Sequence, residues 1–197
     1  MISDTPVNQY SINAYQVSLE PVSDEHQTLL REWRNSPAVR EHMLSQSFIS
    51  EEQQLAWYKQ TRIDPKQLHW VVGYRDKLIG STNVKSLETG VPVTKARLLE
   101  PGLYIGEPRY QGNIVAFAPT LAMYDYCFEQ LNAECFRALV KATNTAALHY
   151  NQKLGYRQVG TAQQGVLCTL ELTYDDYVQS TQQIKQFLSR QRTTKRG

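Results

Sequence analysis

The chain has 197 residues, of which 41% are hydrophobic and 20% are charged, a composition typical of one globular domain with its own core. Lys and Arg outnumber Asp and Glu by only 21 to 19, which gives no support for binding to nucleic acid or to an anionic membrane surface. We therefore expect a single domain over residues 1–197, with frayed ends at 1–12 and 190–197.

The N-terminal third is predicted to form one strand followed by three helices. The strand is AYQVSLEPVS, residues 14–23. Ser23 is the expected N-cap of the first helix, and Pro37 begins the second. Ser50 and Gln53 resemble a capping box for the third. These helices are predicted over residues 23–36, 37–44 and 51–63.

Short β-rich runs come next and predict an antiparallel meander, with Arg75 and Asp76 in its first turn. Its strands are predicted over residues 69–75, 77–87 and 102–107. Gly90 and two prolines mark residues 88–101 as a loop, which we expect to become ordered around substrate.

Helices and strands alternate in the C-terminal half. Apolar residues at helical spacing predict a helix over residues 118–131. Asn144 opens the next helix and Gly155 closes it. The remaining predicted elements are strands at 134–142, 156–162 and 166–173 and a final helix at 173–190. The elements together predict a mixed α/β (α+β) domain.

A tight turn precedes the helix at 118–131. The unpaired N–H groups and partial positive charge of a helix N-terminus favour a phosphate group, and Gly112 would let the backbone approach that group closely. Many proteins have such a turn and bind no phosphate there. This feature alone therefore leaves both interpretations open.

Two motifs stand out, QGNIVA at residues 111–116 and NTAALHYNQKLGY at residues 144–156. They resemble two signatures, Q/R-x-x-G-x-G/A and N-x-x-A/S-x-x-x-Y-x-K-x-G-F, of the GNAT N-acetyltransferase superfamily. The stretch EWRNSPAVREHMLSQSFISEEQQLAWY at 32–58 is similar to the branch containing ribosomal-protein N-terminal acetyltransferases and nucleotide-amino-sugar N-acetyltransferases. The resemblance covers about residues 17–177.

The resemblance implies a GNAT fold, in which helices flank a mixed, mostly antiparallel sheet of six to seven strands that is splayed between the fourth and the fifth. It also implies transfer of an acetyl group from acetyl-CoA to a primary amine. Three backbone N–H groups are implied to pair with the pantetheine chain, those of Tyr104, Ile105 and Gly106. The other implied cofactor-binding residues are Gln111, Gly112, Asn113, Ile114, Val115, Ala116, Asn144, Asn151 and Lys153.

Two positions depart from the family pattern. Ile114 stands where glycine is usual, and because a β-branched residue does not readily adopt positive φ, we expect a reshaped pyrophosphate loop. Asn151 stands where many members have the tyrosine that protonates the departing thiolate. Tyr150 is adjacent but rotated by about 100° on the helix, so it is expected to point elsewhere.

An attacking amine must be neutral, whereas an alkyl amine with a pKa near 10.4 is protonated at pH 7. The family topology places Glu100 and Glu107 nearest the reacting centre, and we prefer Glu100 as the base; solvated strand-end charges are the alternative for both. The resemblance also places three residues at the acceptor, namely Trp33, Arg34 and His42. Arg34 would hold a phosphate or carboxylate, unless Trp33 is core and Arg34 is surface.

Two further histidines are weaker candidates for the base. A packing or rim position is expected for His69, and the exposed side of its helix for His149.

The acceptor is expected to be a small-molecule amine, such as a nucleotide-linked amino sugar. A protein N-terminus is one alternative, and a silent CoA-binding module that has lost turnover is another. No nucleic-acid or membrane partner is expected, the location is expected to be cytoplasmic, and a homodimer stays open. The three cysteines lack metal-ligand spacing, so we expect no metal and reduced thiols at Cys127, Cys135 and Cys168.

Overall fold

The computed structural model of the chain describes residues 10–190. The rest of the predicted frayed ends, residues 1–9 and 191–197, lies outside this range. Within it the strands are β1 Ile12–Ala14, β2 Val17–Pro21, β3 Gln67–Tyr74, β4 Lys77–Ser86, β5 Leu98–Ile105, β6 Cys135–Lys141, β7 Arg157–Ala162 and β8 Leu167–Thr173. The α-helices are α1 Gln27–Asn35, α2 Pro37–Arg40, α3 Glu51–Thr61, α4 Phe117–Gln130, α5 Thr145–Leu154 and α6 Tyr174–Ser189.

All eight strands of the described residues form one mixed sheet, in the order β1-β2-β3-β4-β5-β6-β8-β7. Neighbouring strands are antiparallel except β5 and β6, which run parallel. These two strands pair only at Leu98 with Cys135 and at Leu99 with Phe136. Beyond Leu99 the strands diverge, which confirms the predicted splay between the two halves of the sheet.

The sheet has one strand more than predicted, because Ile12–Ala14 pairs with β2 as the outer strand of a hairpin. Tyr15 and Gln16 form the turn with φ of 52° and 66°, the left-handed pair that two-residue hairpins require. Neither residue is Gly, Asn or Asp, so the usual sequence signal for such a turn is missing. Tyr10 is also held, since its carbonyl accepts a hydrogen bond of 2.7 Å from Trp70 Nε1.

Several element boundaries differ from the prediction. Strand β5 begins at Leu98 rather than at residue 102, so the predicted loop at 88–101 is shorter. Pro101 caused the error, because proline usually ends a strand. Here it lies on the edge from which β6 has diverged, where it removes no ladder hydrogen bond. Helix α2 is one turn, Pro37–Arg40, instead of extending to residue 44.

The helix boundaries predicted from capping residues are close to those observed. Ser50 Oγ accepts from the Gln53 N–H at 3.2 Å, and Gln53 Oε1 accepts from the Ser50 N–H at 2.9 Å, which confirms the capping box. Asn144 Oδ1 caps α5 by accepting from the Ala147 N–H at 3.0 Å. Gly155 closes α5 in the left-handed conformation, with φ of 102°.

Helix α4 runs through the centre of the molecule, and its first eight residues are all buried. Tyr124 of this helix stacks on Phe136 with ring centroids 4.1 Å apart. On the other side of α4, Asp125 Oδ1 accepts from the Tyr177 hydroxyl at 2.7 Å and from Lys185 Nζ at 2.6 Å. Tyr15 also donates its hydroxyl to Asp125, through Oδ2, so both ends of the range 10–190 pack onto this helix.

The three cysteines form no disulfide, as predicted, and two of them are buried. No helix between residues 10 and 190 is both long enough and apolar enough to cross a membrane.

Candidate active site

A cleft of about 1110 Å³ opens where β5 and β6 diverge. Strand β5 forms its floor, α4 and α5 form one wall, and α1, α3 and the segment between α2 and α3 form the other. The cleft therefore contacts both faces of the sheet, which lets two molecules meet at the gap between the strands.

The unpaired edge of β5 presents backbone N–H groups to this cleft. The N–H of Gly106 donates to Ile79 O at 2.9 Å, so it faces β4. Because hydrogen-bonded and non-hydrogen-bonded pairs alternate along an antiparallel ladder, Tyr104 also faces β4, and the N–H groups of Leu103 and Ile105 face the cleft. Of the three predicted N–H groups, that of Ile105 faces the cleft, whereas those of Tyr104 and Gly106 face β4. Leu103 supplies the second N–H group at the cleft, because the sequence alone does not show how β5 pairs with β4.

The loop between β5 and α4 turns at Gly112, whose φ is 69°, and a Cβ added there would meet no atom within 4 Å. Gln111 ties the loop to the sheet by donating from Nε2 to Ile105 O at 2.8 Å. Asn113 Oδ1 accepts from the Val115 N–H at 2.8 Å. The loop thus combines an open left-handed turn with the start of a helix, an arrangement that suits a phosphate group.

Ile114 does not strain this loop. It is the first residue of a 3-10 turn, Ile114–Ala116, that leads into α4. The positive φ of the loop falls on Gly112, so a β-branched side chain at 114 needs no forbidden conformation.

Nine of the predicted cofactor-binding residues line the cleft, and three do not. Those lining it are Tyr104, Ile105, Gln111, Gly112, Asn113, Ala116, Asn144, Asn151 and Lys153. Those outside it are Gly106, Ile114 and Val115.

Tyr150 also lines the cleft, although it was expected to point elsewhere. Its hydroxyl donates to Ala116 O at 3.1 Å, so the 2.6 Å bond to Thr120 must be donated by Thr120 Oγ1. The ring stacks on Phe117 with centroids 4.5 Å apart, and burial raises the pKa of the phenol. Tyr150 therefore fixes α5 to the first turn of α4. The neighbouring Asn151 donates to Ala147 O at 2.8 Å.

The two candidate carboxylates have different surroundings. Glu100 lines the cleft, opposite Lys85 of β4. Glu107 does not line it: this residue precedes a 3-10 turn, Pro108–Tyr110, and its N–H donates to Ile79 O at 3.1 Å. Of the two carboxylates, Glu100 is the one that lines the cleft.

Trp33 supports the site from outside the cleft, which corrects its predicted contact with substrate. Its indole lies against the backbone of Gly106, where an added Cβ would be 2.1 Å from Trp33 Cδ2. The same ring meets Tyr104 edge-on at 6.5 Å between centroids. Trp33 thus fixes the distance between α1 and the end of β5.

Arg34 and His42, which the sequence analysis placed at the acceptor, both line the cleft. Arg34 is half-buried, and burial lowers the pKa of its guanidinium, an effect that the nearby Tyr104 partly opposes. Within residues 10–190 no carboxylate lies within 4.0 Å of Arg34, in contrast to the ion pair of Arg137 with Glu171. A guanidinium removed from water without a protein anion is suited to an anionic ligand.

His69 both packs against the protein and lines the cleft. It meets Trp57 of α3 edge-on, with centroids 5.1 Å apart. Burial, with a smaller effect of Lys85, lowers the pKa of its imidazole to about 3, although Asp64 opposes this shift. His69 is therefore neutral at pH 7. His149 is exposed, as predicted, at the rim of the cleft.

The family described as acetyltransferase (GNAT) domain matches residues 16–157 of this chain. That range contains β5, the turn at Gly112, the start of α4 and all of α5. Across the described residues, no group of three or more His, Cys, Asp or Glu side chains is arranged to hold a metal ion.

Solved structures of this family have the same fold at low sequence identity. Spermidine N-acetyltransferase from Vibrio cholerae, solved with CoA and spermine, is 19% identical at a TM-score of 0.70, covering 83% of this chain and 98% of its own. FdhC, a nucleotide-linked sugar GNAT, is 16% identical at 0.71, covering 91% and 98%. Mycobacterium smegmatis RimJ, solved with CoA-disulfide, is 15% identical at 0.68, covering 88% and 90%.

Proposed function

This chain belongs to the GNAT acetyltransferase family, and from that premise we propose that it acetylates the primary amine of a small, anionic metabolite, using acetyl-CoA. The observation that carries the proposal is the cleft at the splay. Its floor and one wall carry the N–H groups and the helix N-terminus that suit the cosubstrate. Arg34, on the other, suits an acceptor with a negative group.

The residues of the floor and of the wall formed by α4 and α5 fit acetyl-CoA. The N–H groups of Leu103 and Ile105 are aligned to bind an extended chain as an added strand would. The open turn at Gly112 and the start of the 3-10 turn that follows it, Ile114–Ala116, suit a pyrophosphate. Lys153, exposed at the end of α5, supplies a positive charge at the rim. Acetyl-CoA would supply the activated acyl group.

Glu100 is the residue that we assign to deprotonating the acceptor. A free alkyl ammonium has a pKa near 10.4 and cannot attack until it loses a proton. Asn151 has no proton to give at neutral pH, and the Tyr150 hydroxyl donates to Ala116 O. The departing thiol is expected to leave as a thiolate or to receive its proton from water.

The charges around the cleft favour an anionic acceptor over a polyamine. Of the cleft-lining side chains in the described part of the chain, Glu100 is the one carboxylate, whereas Arg34, Lys85, Lys141 and Lys153 are cationic. A polycation such as spermine would be repelled by this surface. The fold similarity to FdhC, a nucleotide-linked sugar GNAT, agrees with a nucleotide-linked amino sugar as acceptor.

Arg34→Gln tests the acceptor assignment. A charged hydrogen bond to an anion contributes about 1.5–3 kcal/mol, so we expect the KM for an anionic amine to rise roughly ten- to a hundredfold. The KM for acetyl-CoA should stay the same. Arg40→Gln is the matched control, because Arg40 lies on α2 outside the cleft. An equal loss for anionic and neutral amines would contradict the assignment.

Calorimetric titration with acetyl-CoA, followed by an assay of free thiol release over a panel of amines, tests the function as a whole. Absence of binding at millimolar acetyl-CoA would refute the proposal. Binding without turnover of any amine would indicate a silent module, and turnover of peptide N-termini alone would indicate a protein N-terminal acetyltransferase.

Gly112→Ala tests the phosphate turn. An alanine forced to a left-handed φ costs roughly 1–2 kcal/mol, and relaxation of the loop should raise the KM for acetyl-CoA several-fold. Gly165→Ala is the matched control, because its φ of 88° carries the same strain and it lies outside the cleft. Equal effects of the two variants on acetyl-CoA binding would contradict a phosphate site at Gly112.

A further inference from the structure

A chain of hydrogen bonds leads from a carboxylate outside the cleft to the imidazole of His69. Gln67 Nε2 donates to Asp64 Oδ2 at 2.7 Å, and Gln67 Oε1 lies 2.8 Å from His69 Nε2. Asp64 is itself anchored, because its Oδ1 accepts from the Lys66 N–H at 2.9 Å. Neither Asp64 nor Gln67 lines the cleft, whereas His69 does.

This chain determines where the proton of His69 is. A carboxylate only accepts hydrogen bonds, so Gln67 must turn its NH₂ group to Asp64 and its carbonyl to His69. A carbonyl also only accepts, so the hydrogen is on His69 Nε2. Since the imidazole is neutral, Nδ1 keeps an unshared electron pair. Among residues 10–190 the one hydrogen bond of the His69 side chain is made by Nε2, so Nδ1 has no partner there.

His69 faces the same side of the sheet as Glu100, the proposed base. It pairs with Asn83, and Asn83 pairs with Gly102 of β5, so the three share one face. Lys85 and Glu100 are each two residues along their strands and face the same way. The charged groups that act on the imidazole are Asp64 before β3 and Lys85 on β4, and α3 contributes the uncharged Trp57. Glu100 lies one strand further away, on β5.

We propose that Nδ1 of His69 accepts an N–H hydrogen bond from the acceptor amine and so orients the nitrogen lone pair towards the thioester, with Gln67 and Asp64 as the residues that position it. This role rests on the transferase function proposed above. His69 takes no proton in it. One ammonium proton leaves through Glu100 to solvent before the N–C bond forms and the C–S bond breaks. A second leaves the nitrogen afterwards and ends on the thiolate or in water.

Nitrogen NMR of the imidazoles in the full-length protein, with His69→Asn to assign the signal, tests the chain of hydrogen bonds directly. We expect neutral His69 at pH 7 with hydrogen on Nε2. In Gln67→Leu the two neutral tautomers should become mixed, whereas Gln158→Leu on β7, an exposed strand position outside the cleft, should change nothing. An Nδ1–H tautomer or an imidazolium in the unmodified protein would overturn the proposal.

Steady-state kinetics with an amine that the protein acetylates tests the role in turnover. His69→Leu should lower kcat/KM for the amine by about three- to tenfold, the effect of one lost hydrogen bond, with an unchanged acetyl-CoA affinity that also shows the variant to be folded. His69→Asn, whose amide oxygen can replace Nδ1 as an acceptor, should recover part of the loss. Unchanged kinetics in His69→Leu would overturn this role alone, whereas an unmodified protein that does not bind acetyl-CoA would refute the transferase function.

Discussion

Glu100→Gln is expected to lower kcat/KM by roughly a hundred- to ten-thousandfold at pH 7, the usual contribution of a general base. Glutamine has nearly the same shape but cannot accept a proton, so binding of acetyl-CoA should be retained. The rate of thiol release at saturating acetyl-CoA, measured with an accepted amine, checks this result. The deficit should shrink as the pH rises towards the pKa of the free amine, about 10.4, because more of the acceptor is then already neutral.

Glu107→Gln is the matched control for this experiment. Glu107 is seven residues further along the chain, half-buried and outside the cleft, so its substitution should leave kcat/KM within about twofold. Similar losses in the two variants would contradict the role of Glu100, and so would a deficit in Glu100→Gln that is independent of pH.

Gly106→Ala is expected to destabilise the fold and to damage the acceptor side of the cleft. The new Cβ would be 2.1 Å from Trp33 Cδ2, in a rigid ring that cannot bend away. Overpacking of this kind costs about 1–3 kcal/mol, and relief requires α1 to move together with Arg34. Urea unfolding should therefore show a lower free energy of unfolding, and the KM for the amine should rise more than that for acetyl-CoA.

Two further variants identify the cause of that effect. Gly160→Ala on β7 should be tolerated, since an added Cβ there meets no atom within 4 Å. Adding Trp33→Phe to Gly106→Ala should restore part of the stability, because the smaller ring leaves room for the methyl group. If the double variant were no more stable than the sum of the two single effects predicts, the contact between Trp33 and residue 106 would not explain the loss.

The parts of the fold that the sequence predicted well are those with local causes. The capping box at Ser50 and the Asn144 cap could be predicted because each depends on a few neighbouring residues. The hairpin at Tyr15 and Gln16 was missed because non-glycine residues adopt positive φ there. Its outer strand is stabilised by pairing with β2, and such tertiary contacts are not visible in the local sequence.

The parts of the site that belong to a sequence motif could be predicted, whereas the parts that depend on how the strands pair could not. The turn at Gly112 followed from the sequence, whereas the identity of the N–H groups that face the cleft depends on how β5 pairs with β4. The chain of hydrogen bonds from Asp64 to His69 joins residues that are close in sequence. No sequence motif identifies these residues, and only the folded structure shows that the chain of hydrogen bonds ends at the cleft.

The contact between β5 and β6 over only two residue pairs has a consequence for the life of the protein. In the proposed binding mode the cosubstrate bridges the half-sheets of β1–β5 and β6–β8, so unfolding would require its release. A ligand that binds only the folded state raises the free energy of unfolding by an amount that grows with the ligand concentration. The unfolded fraction of this protein, and with it the rate of its degradation, would then fall when acetyl-CoA is abundant. The amount of the enzyme would thereby depend on the metabolic state of the cell.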